Sequence, residues 1–370
     1  MSGPVYTAAL QEEVFGKMRI LLMEFGGSDR EKERRLAALP DLREICPDLE
    51  LYALCAEGTT LDRLAESRGL PCMRMGLGGI SRALGKLRLA WKLRVGEQPW
   101  ILHAFDPEAL GLALRLADRK NPLQVVYSAP RPEFVQLSPK ENPALLKVVI
   151  VPSKHAAERL ADLGLAGDRQ RVIRNFAEQG VCLPCRRQDK RIIFVCGDSL
   201  EPGKGYEQLL RALPLLYQVK RMPAWELRIA GGGSLFEPII ELAKDLGVDG
   251  RLAIFGADHG VDILQEGDML IVPAEAGEDS SLAIMEGWAS GLAVLCSDSQ
   301  PHLEIVQDGV NAFCFKDSDQ GHLAGQIGAL ARGKKLRQDL AKAGQKSLIS
   351  HTRECFLQAH LEVYRSLSDA

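Results

Sequence analysis

Short apolar runs alternate with amphipathic stretches from one end of this 370-residue chain to the other. The first series of runs is "RILLM" (19–23), "LELYAL" (49–54), "WILH" (100–103), "LQVVY" (123–127), "KVVIV" (147–151) and "RVIR" (171–174). Helical spacing fills several gaps, at 28–38, 81–94, 107–118 and 153–162. A second series begins at "RIIFVC" (191–196) and continues through "ELRIA" (226–230), "RLAIF" (251–255), "DMLIV" (268–272), "LAVLC" (292–296) and "NAFCF" (311–315). Strands that are apolar throughout, with helices between them, predict parallel sheets covered on both faces.

Two series and this length predict two domains rather than one core. The polar, weakly periodic stretch "FAEQGVCLPCRRQDK" (176–190) marks the join. The expected division is an N-terminal domain over 1–176, a linker over 177–190 and a C-terminal domain over 191–353. A last helix, about 354–370, is expected to pack back on the first domain. The fold class is α/β, with two Rossmann-like, doubly wound parallel-sheet domains facing a cleft. Such sheets bind ligands beyond the carboxyl ends of their strands.

With 46% hydrophobic and 26% charged residues, the chain reads as a soluble globular protein. Its net charge of −3 supplies no general attraction to nucleic acid. The N-terminus, "MSGPVYTAALQEEVFGK", lacks a signal-peptide apolar core, and no run is long enough to span a bilayer. The nine cysteines are scattered, as in a reduced compartment, so the expected location is cytoplasmic. "CLPC" (182–185) is one isolated pair in the linker and reads as structural noise rather than a metal site. "GDSLEPGKG" (197–205) has the wrong spacing for a P-loop, and Gly205 stands where that motif needs Ser or Thr. "GLGG" (76–79) is too short for a dinucleotide fingerprint, and "DSD" (317–319) reads as a turn or cap.

The segment "EDSSLAIMEGWASG" (278–291) carries the chemistry. Asp279 or Ser280 suits an N-cap and Gly291 a helix stop, which predicts a helix over about 281–290. Unpaired N–H groups of its first turn form an anion site suited to phosphate. Glu278 lies just outside that turn and Glu286 inside the helix. A carboxylate can accept bonds from two adjacent ribose hydroxyls. On spacing alone, a solvated loop acid at 278 and a solvated boundary acid at 286 fit as well as a pair that holds a nucleotide-sugar.

The stretch 278–313 resembles the E-x7-E region of retaining glycosyltransferases of the GT-B fold, family 4. Glu278 and Glu286 match its glutamates, Ser281–Leu282 its helix-start pair, Gly291 its glycine and Glu304–Ile305–Val306 its downstream "E-I/V-V". Ser281 replaces a frequent glycine. "FVCGDSLEPGKGYEQLLRAL" (194–213) is similar to the family's first donor-domain strand and lysine loop, and 225–256 to its next two strands. The resemblance implies a retaining, metal-independent transfer from a nucleotide-diphospho-sugar, with no cofactor and no metal. By it, Ser281, Leu282 and Lys204 hold the diphosphate, Glu286 the ribose and Glu278 the sugar. Front-face displacement requires no protein nucleophile.

Two departures stand out. Asp198 occupies the place of the family's phosphate-binding arginine, six residues before Lys204. In "WILHAFDPEALGLALRLA" (100–117) His103 matches one family histidine and becomes a candidate for contacting the reacting sugar or acceptor. Phe105 stands in place of the family's second histidine, and Ser128, Ala129 and Pro130 stand where a further histidine is expected. Gly26 and Gly27, ahead of a helix capped by Ser28, fit either a close approach to the diphosphate or an ordinary strand-to-helix turn. "ISRALGKLRLAWKLR" (80–94) reads as a sheet-covering helix with a solvated basic face, or as a peripheral contact to the inner leaflet. The expected acceptor is a cell-surface glycan or glycolipid. The rival functions are a scaffold protein that has lost turnover and a nucleotide-sugar epimerase.

Overall fold

The computed structural model describes residues 18–26, 30–75, 100–117, 123–129, 135, 142–165, 167–177 and 191–368. The expectations for Gly27, Ser28, Pro130, the 76–79 glycines, the 80–94 helix and the "CLPC" pair lie outside these residues. The chain divides into two compact units, one of residues 1–129, 134–149 and 361–370, the other of 130–133 and 150–360.

The described strands form two sheets. The first has seven strands: β1 (Met18–Glu24), β2 (Leu49–Cys55), β3 (Cys72–Arg74), β4 (Trp100–Ala104), β5 (Gln124–Ser128), β6 (Leu146–Val151) and β7 (Gln170–Val172). Their order is β3-β2-β1-β4-β5-β6-β7. The second has six: β8 (Ile192–Cys196), β9 (Trp225–Ala230), β10 (Leu252–Phe255), β11 (Met269–Val272), β12 (Ala293–Ser297) and β13 (Phe313–Phe315), ordered β10-β9-β8-β11-β12-β13. Each is doubly wound, with its topological switch beside its first strand, where ligands bind in such sheets. Every apolar run singled out in the sequence became a strand. The edge strand β3 was missed, because "CMR" is too short and too polar to show a period.

Alternation in the second sheet explains its burial on both faces. Phe194 and Cys196 of β8, with Ala293 and Leu295 of β12, enter one cluster with the Tyr206–Ala212 and Gln320–Arg332 helices. Ile193, Val195, Val294 and Cys296 point the other way, against the Ser281–Ala289 helix. That helix is buried at every position, which answers why its residues are small or apolar. Trp288 is fully enclosed and spends its indole N–H on Asn311 O at 2.9 Å.

Two glycines are fixed by crowding at the carboxyl end of this sheet. Gly205 has φ +72°, and a Cβ there would lie 1.7 Å from Pro273 O. A P-loop Ser or Thr therefore has no room at this position. A Cβ at Gly231 would lie 2.3 Å from Asp198 O, so the loops after β8 and β9 can meet only through glycine.

Candidate functional site around Lys204

Lys204 lies in the loop after β8, and the Ser281–Ala289 helix starts in the loop after β11. β8 and β11 are neighbours at the switch point, so the topology brings these loops together. Gly197, Asp198, Lys204, Pro273, Ser280 and Ala283 line a small pocket there.

Lys204 is buried, and its Nζ lies 3.0 Å from Asp198 Oδ2, 3.0 Å from Glu278 Oε1 and 3.1 Å from Ser280 Oγ. Ser280 Oγ donates to Asp198 Oδ2 at 2.7 Å, and Ser199 N–H donates to Asp198 Oδ1 at 2.7 Å. Burial would lower the lysine pKa, but Asp198 and Glu278 overcome it and hold the ammonium charged above its ordinary value. The phosphate-binding lysine of the resemblance is thus neutralised by two acids of its own unit.

The helix start is also partly occupied. Ser280 is the N-cap, but its hydroxyl turns to Asp198 and Lys204 and makes no cap bond. Asp279 Oδ1 instead accepts from Ser281 N–H at 2.9 Å. His302 Nε2 accepts from Ser280 N–H at 3.4 Å, while its Nδ1 lies 3.2 Å from Ser297 O. This fixes the tautomer as neutral with the proton on Nδ1. Burial pushes the His302 pKa down, opposed by Asp279 and the Ser297 carbonyl. The remaining first-turn donors are the N–H groups of Leu282 and Ala283, which have no acceptor among the described residues. Glu286 is buried at 6% exposure in the second turn. Asp279 was read as a cap candidate, whereas His302 was missed in the sequence. The only signal for Asp279 was its place beside the cap, and His302 had none.

An imidazole and a further cation lie close by within the same unit. A Cβ built on Gly277 would stand 3.7 Å from His155 Nε2 and 3.8 Å from Arg159 Nη1. Glu304, the acid of the "EIV" segment, accepts N–H bonds from Lys154 and His155 at 2.9 and 2.7 Å and pairs with Arg174 at 2.6 Å. It therefore caps the Lys154–Asp162 helix together with Ser153.

The other two candidates sit in the first unit, each already partnered. His103 is fully buried, with Nδ1 2.6 Å from Tyr364 Oη and Nε2 2.8 Å from Ser128 Oγ. Both ring nitrogens are used by the protein, and one partner is a serine standing where a further family histidine is expected. Gly26 N–H and Phe25 N–H both donate to Asp106 Oδ2, at 3.0 and 2.7 Å. The Gly26 turn therefore grips the N-cap of the Pro107–Leu116 helix, an ordinary strand-to-helix role.

Residues 185–347 match the family model described as glycosyl transferases group 1. The chain is 29% identical over 218 residues to the lipopolysaccharide core biosynthesis glycosyltransferase LpsE of Rhizobium meliloti, covering 57% of this chain and 62% of that protein. It is 27% identical over 244 residues to a phosphatidyl-myo-inositol mannosyltransferase of Mycolicibacterium smegmatis, covering 62% of each. The chain thus spans less than two thirds of these curated relatives. The fold is similar to that of Anabaena Alr3699/HepE, solved in complex with UDP-glucose. The TM-score is 0.76 at 17% identity, over 94% of this chain and all of that one. No helix among the described residues is long and apolar enough to cross a membrane. The protein has the GT-B fold, and its residues 185–347 resemble the glycosyl transferases group 1 family.

Proposed function

We propose that the protein is a retaining glycosyltransferase that takes its sugar from a nucleotide-diphospho-sugar. The observation that carries this is Lys204, held at the switch point between Glu278 and the start of the Ser281–Ala289 helix. The donor diphosphate lies against the N–H groups of Leu282 and Ala283, where the helix dipole favours negative charge. Lys204 exchanges Asp198 for a phosphate oxygen as the donor arrives. Arg159, against Gly277, supplies the positive charge that Asp198 withholds. Glu286 holds the ribose and Glu278 orients the sugar. As the diphosphate leaves, these fixed donors and cations stabilise its growing charge without a divalent ion. The curated relatives are named for lipopolysaccharide core and phosphatidylinositol mannoside synthesis, which favours a glycan or glycolipid acceptor.

A second reading is a catalytically silent binding protein. It is favoured by the Asp198–Lys204 pair and by His103 having both nitrogens engaged. Incubating the protein with a panel of UDP-, GDP- and ADP-sugars and assaying hydrolysis separates the two. Slow release of one nucleotide, abolished in Glu286→Ala, supports the transferase. No turnover together with no binding of any nucleotide supports the silent protein.

A further inference from the structure

At one edge of the first sheet, far from the chemistry proposed above in sequence, two thiols and a carboxylate converge. Cys55 ends β2, Cys72 begins the edge strand β3, and Asp62 lies in the first turn of the Thr60–Arg68 helix. The two Sγ atoms are 3.4 Å apart, and Cys55 Sγ lies 3.9 Å from Asp62 Oδ1. One ligand atom from each of the three residues falls within 4.8 Å of the other two.

The strand register argues against a disulfide. Ala53 is opposite Cys72 and Cys55 is opposite Arg74, so the two cysteines are diagonal neighbours on one face. Diagonal pairs in sheets have Cα atoms about 7–8 Å apart. A disulfide takes roughly 4.4–6.8 Å. A bridging ion relaxes that limit. Two thiolates about 2.3 Å from a tetrahedral zinc ion stand roughly 3.8 Å from each other, so these sulfurs need to part by only a few tenths of an ångström.

The surroundings also suit a cation. Asp62 Oδ2 accepts from Gly58 N–H at 2.9 Å, which orients the carboxylate and leaves Oδ1 facing the thiols. Arg74 Nε lies 2.6 Å from Oδ1. Two thiolates and one carboxylate around a divalent ion leave one negative charge beside Arg74, a guanidinium shared between Asp62 and Glu66. Cys72 is exposed, so an ion can enter and a water can complete the shell. Cys296 and Cys314 make the contrast. They sit directly opposite in β12 and β13 with sulfurs 4.0 Å apart, but both are buried. That pair is core.

We propose that Cys55, Asp62 and Cys72 bind one zinc ion through two thiolates and a carboxylate oxygen, with water in the fourth position. Binding releases two thiol protons to solvent, and no electron transfer is involved. Two thiolates favour Zn²⁺ over Mg²⁺ or Ca²⁺. The ion would tie the short edge strand β3 to β2 and to the Thr60–Arg68 helix. This inference is independent of the donor site.

The test uses the full chain with Cys182→Ser and Cys185→Ser, which removes the "CLPC" thiols as competitors. The protein is stripped with a chelator and titrated with Zn²⁺ against a chromophoric competitor, and its melting temperature is followed. The expected result is one equivalent of zinc with a rise in melting temperature, and both effects lost on Cys72→Ser. Because Cys72 is exposed, that variant keeps its fold, which circular dichroism verifies. Asp62→Asn is expected to weaken binding at least tenfold. Three results would each overturn the site: no zinc bound by the parent, one equivalent surviving in Cys72→Ser, or a Cys55–Cys72 disulfide in the freshly purified protein.

Discussion

Asp198 and Lys204 form a direct ion pair, Oδ2 to Nζ at 3.0 Å, at the carboxyl end of β8. A family position that usually carries a phosphate-binding cation here carries the acid that occupies the next cation in the loop. A donor diphosphate must compete with this carboxylate for Lys204. Opposite charges about 4 Å apart attract by about 4 kcal/mol at an effective dielectric near 20, so the competition is substantial even after discounting for the part-exposed Asp198.

Asp198→Asn is therefore expected to tighten nucleoside diphosphate binding about tenfold, equivalent to about 1.4 kcal/mol. The side chain keeps its shape while losing the charge and one of the two bonds it accepts, from Ser280 or from Ser199. Calorimetric titration with UDP, GDP and ADP measures it. Unchanged or weaker binding would show that Lys204 does not meet the diphosphate.

Glu286→Ala is expected to weaken nucleoside diphosphate binding by at least tenfold and to leave inorganic pyrophosphate binding within about twofold. The reason is that its carboxylate is assigned to the ribose hydroxyls. Equal losses for both ligands would mean that Glu286 supports the helix rather than the ribose.

Stability should fall as the solution is acidified below about pH 6.5. His302 is held below that ordinary value by burial, and His351 by burial and then by the Arg174 charge. The unfolded chain then binds more protons than the folded one in the window between each depressed value and 6.5, so stability is full above 6.5 and is lost on descending through it. Each unit of depression is worth about 1.4 kcal/mol. Thermal melts between pH 7.5 and 5 should show the decline, and His302→Gln should flatten part of it. A melting temperature flat across this range would remove the assignment of His302 as neutral.

Gly205→Ser is expected to destabilise the second unit by roughly 3 kcal/mol or more, because the new Cβ meets a backbone carbonyl that cannot turn aside. Chemical denaturation measures this directly. A variant as stable as the parent would mean that the lysine loop can be rebuilt without its contact to Pro273.

The strands and the helix at 281–289 were legible because each rests on local spacing. Apolar runs choose strands, and the parallel alternation then forces the loops after β8 and β11 to one end of the sheet. Polar partners that arrive from distant segments were not legible. His103 reads from the sequence as a candidate for contacting the sugar or acceptor, with no hint of its bond to Tyr364, 261 positions away. Asp106 claims the Gly26 turn from 80 positions away, and His302 reaches the helix cap Ser280 from 22 positions away. Cys55 and Cys72 gave no signal because β3 is too short to show itself.

Sequence by itself thus determined the α/β class, the two series of strands and the loops that carry the chemistry, since burial periodicity is a property of neighbouring residues. Tertiary structure alone decided which charges meet. It turned Asp198 onto Lys204, gave the helix cap to Asp279 and His302, and placed two thiols beside Asp62. A hydrogen bond or ion pair depends on distances of about 3 Å between atoms that the chain order leaves arbitrarily far apart.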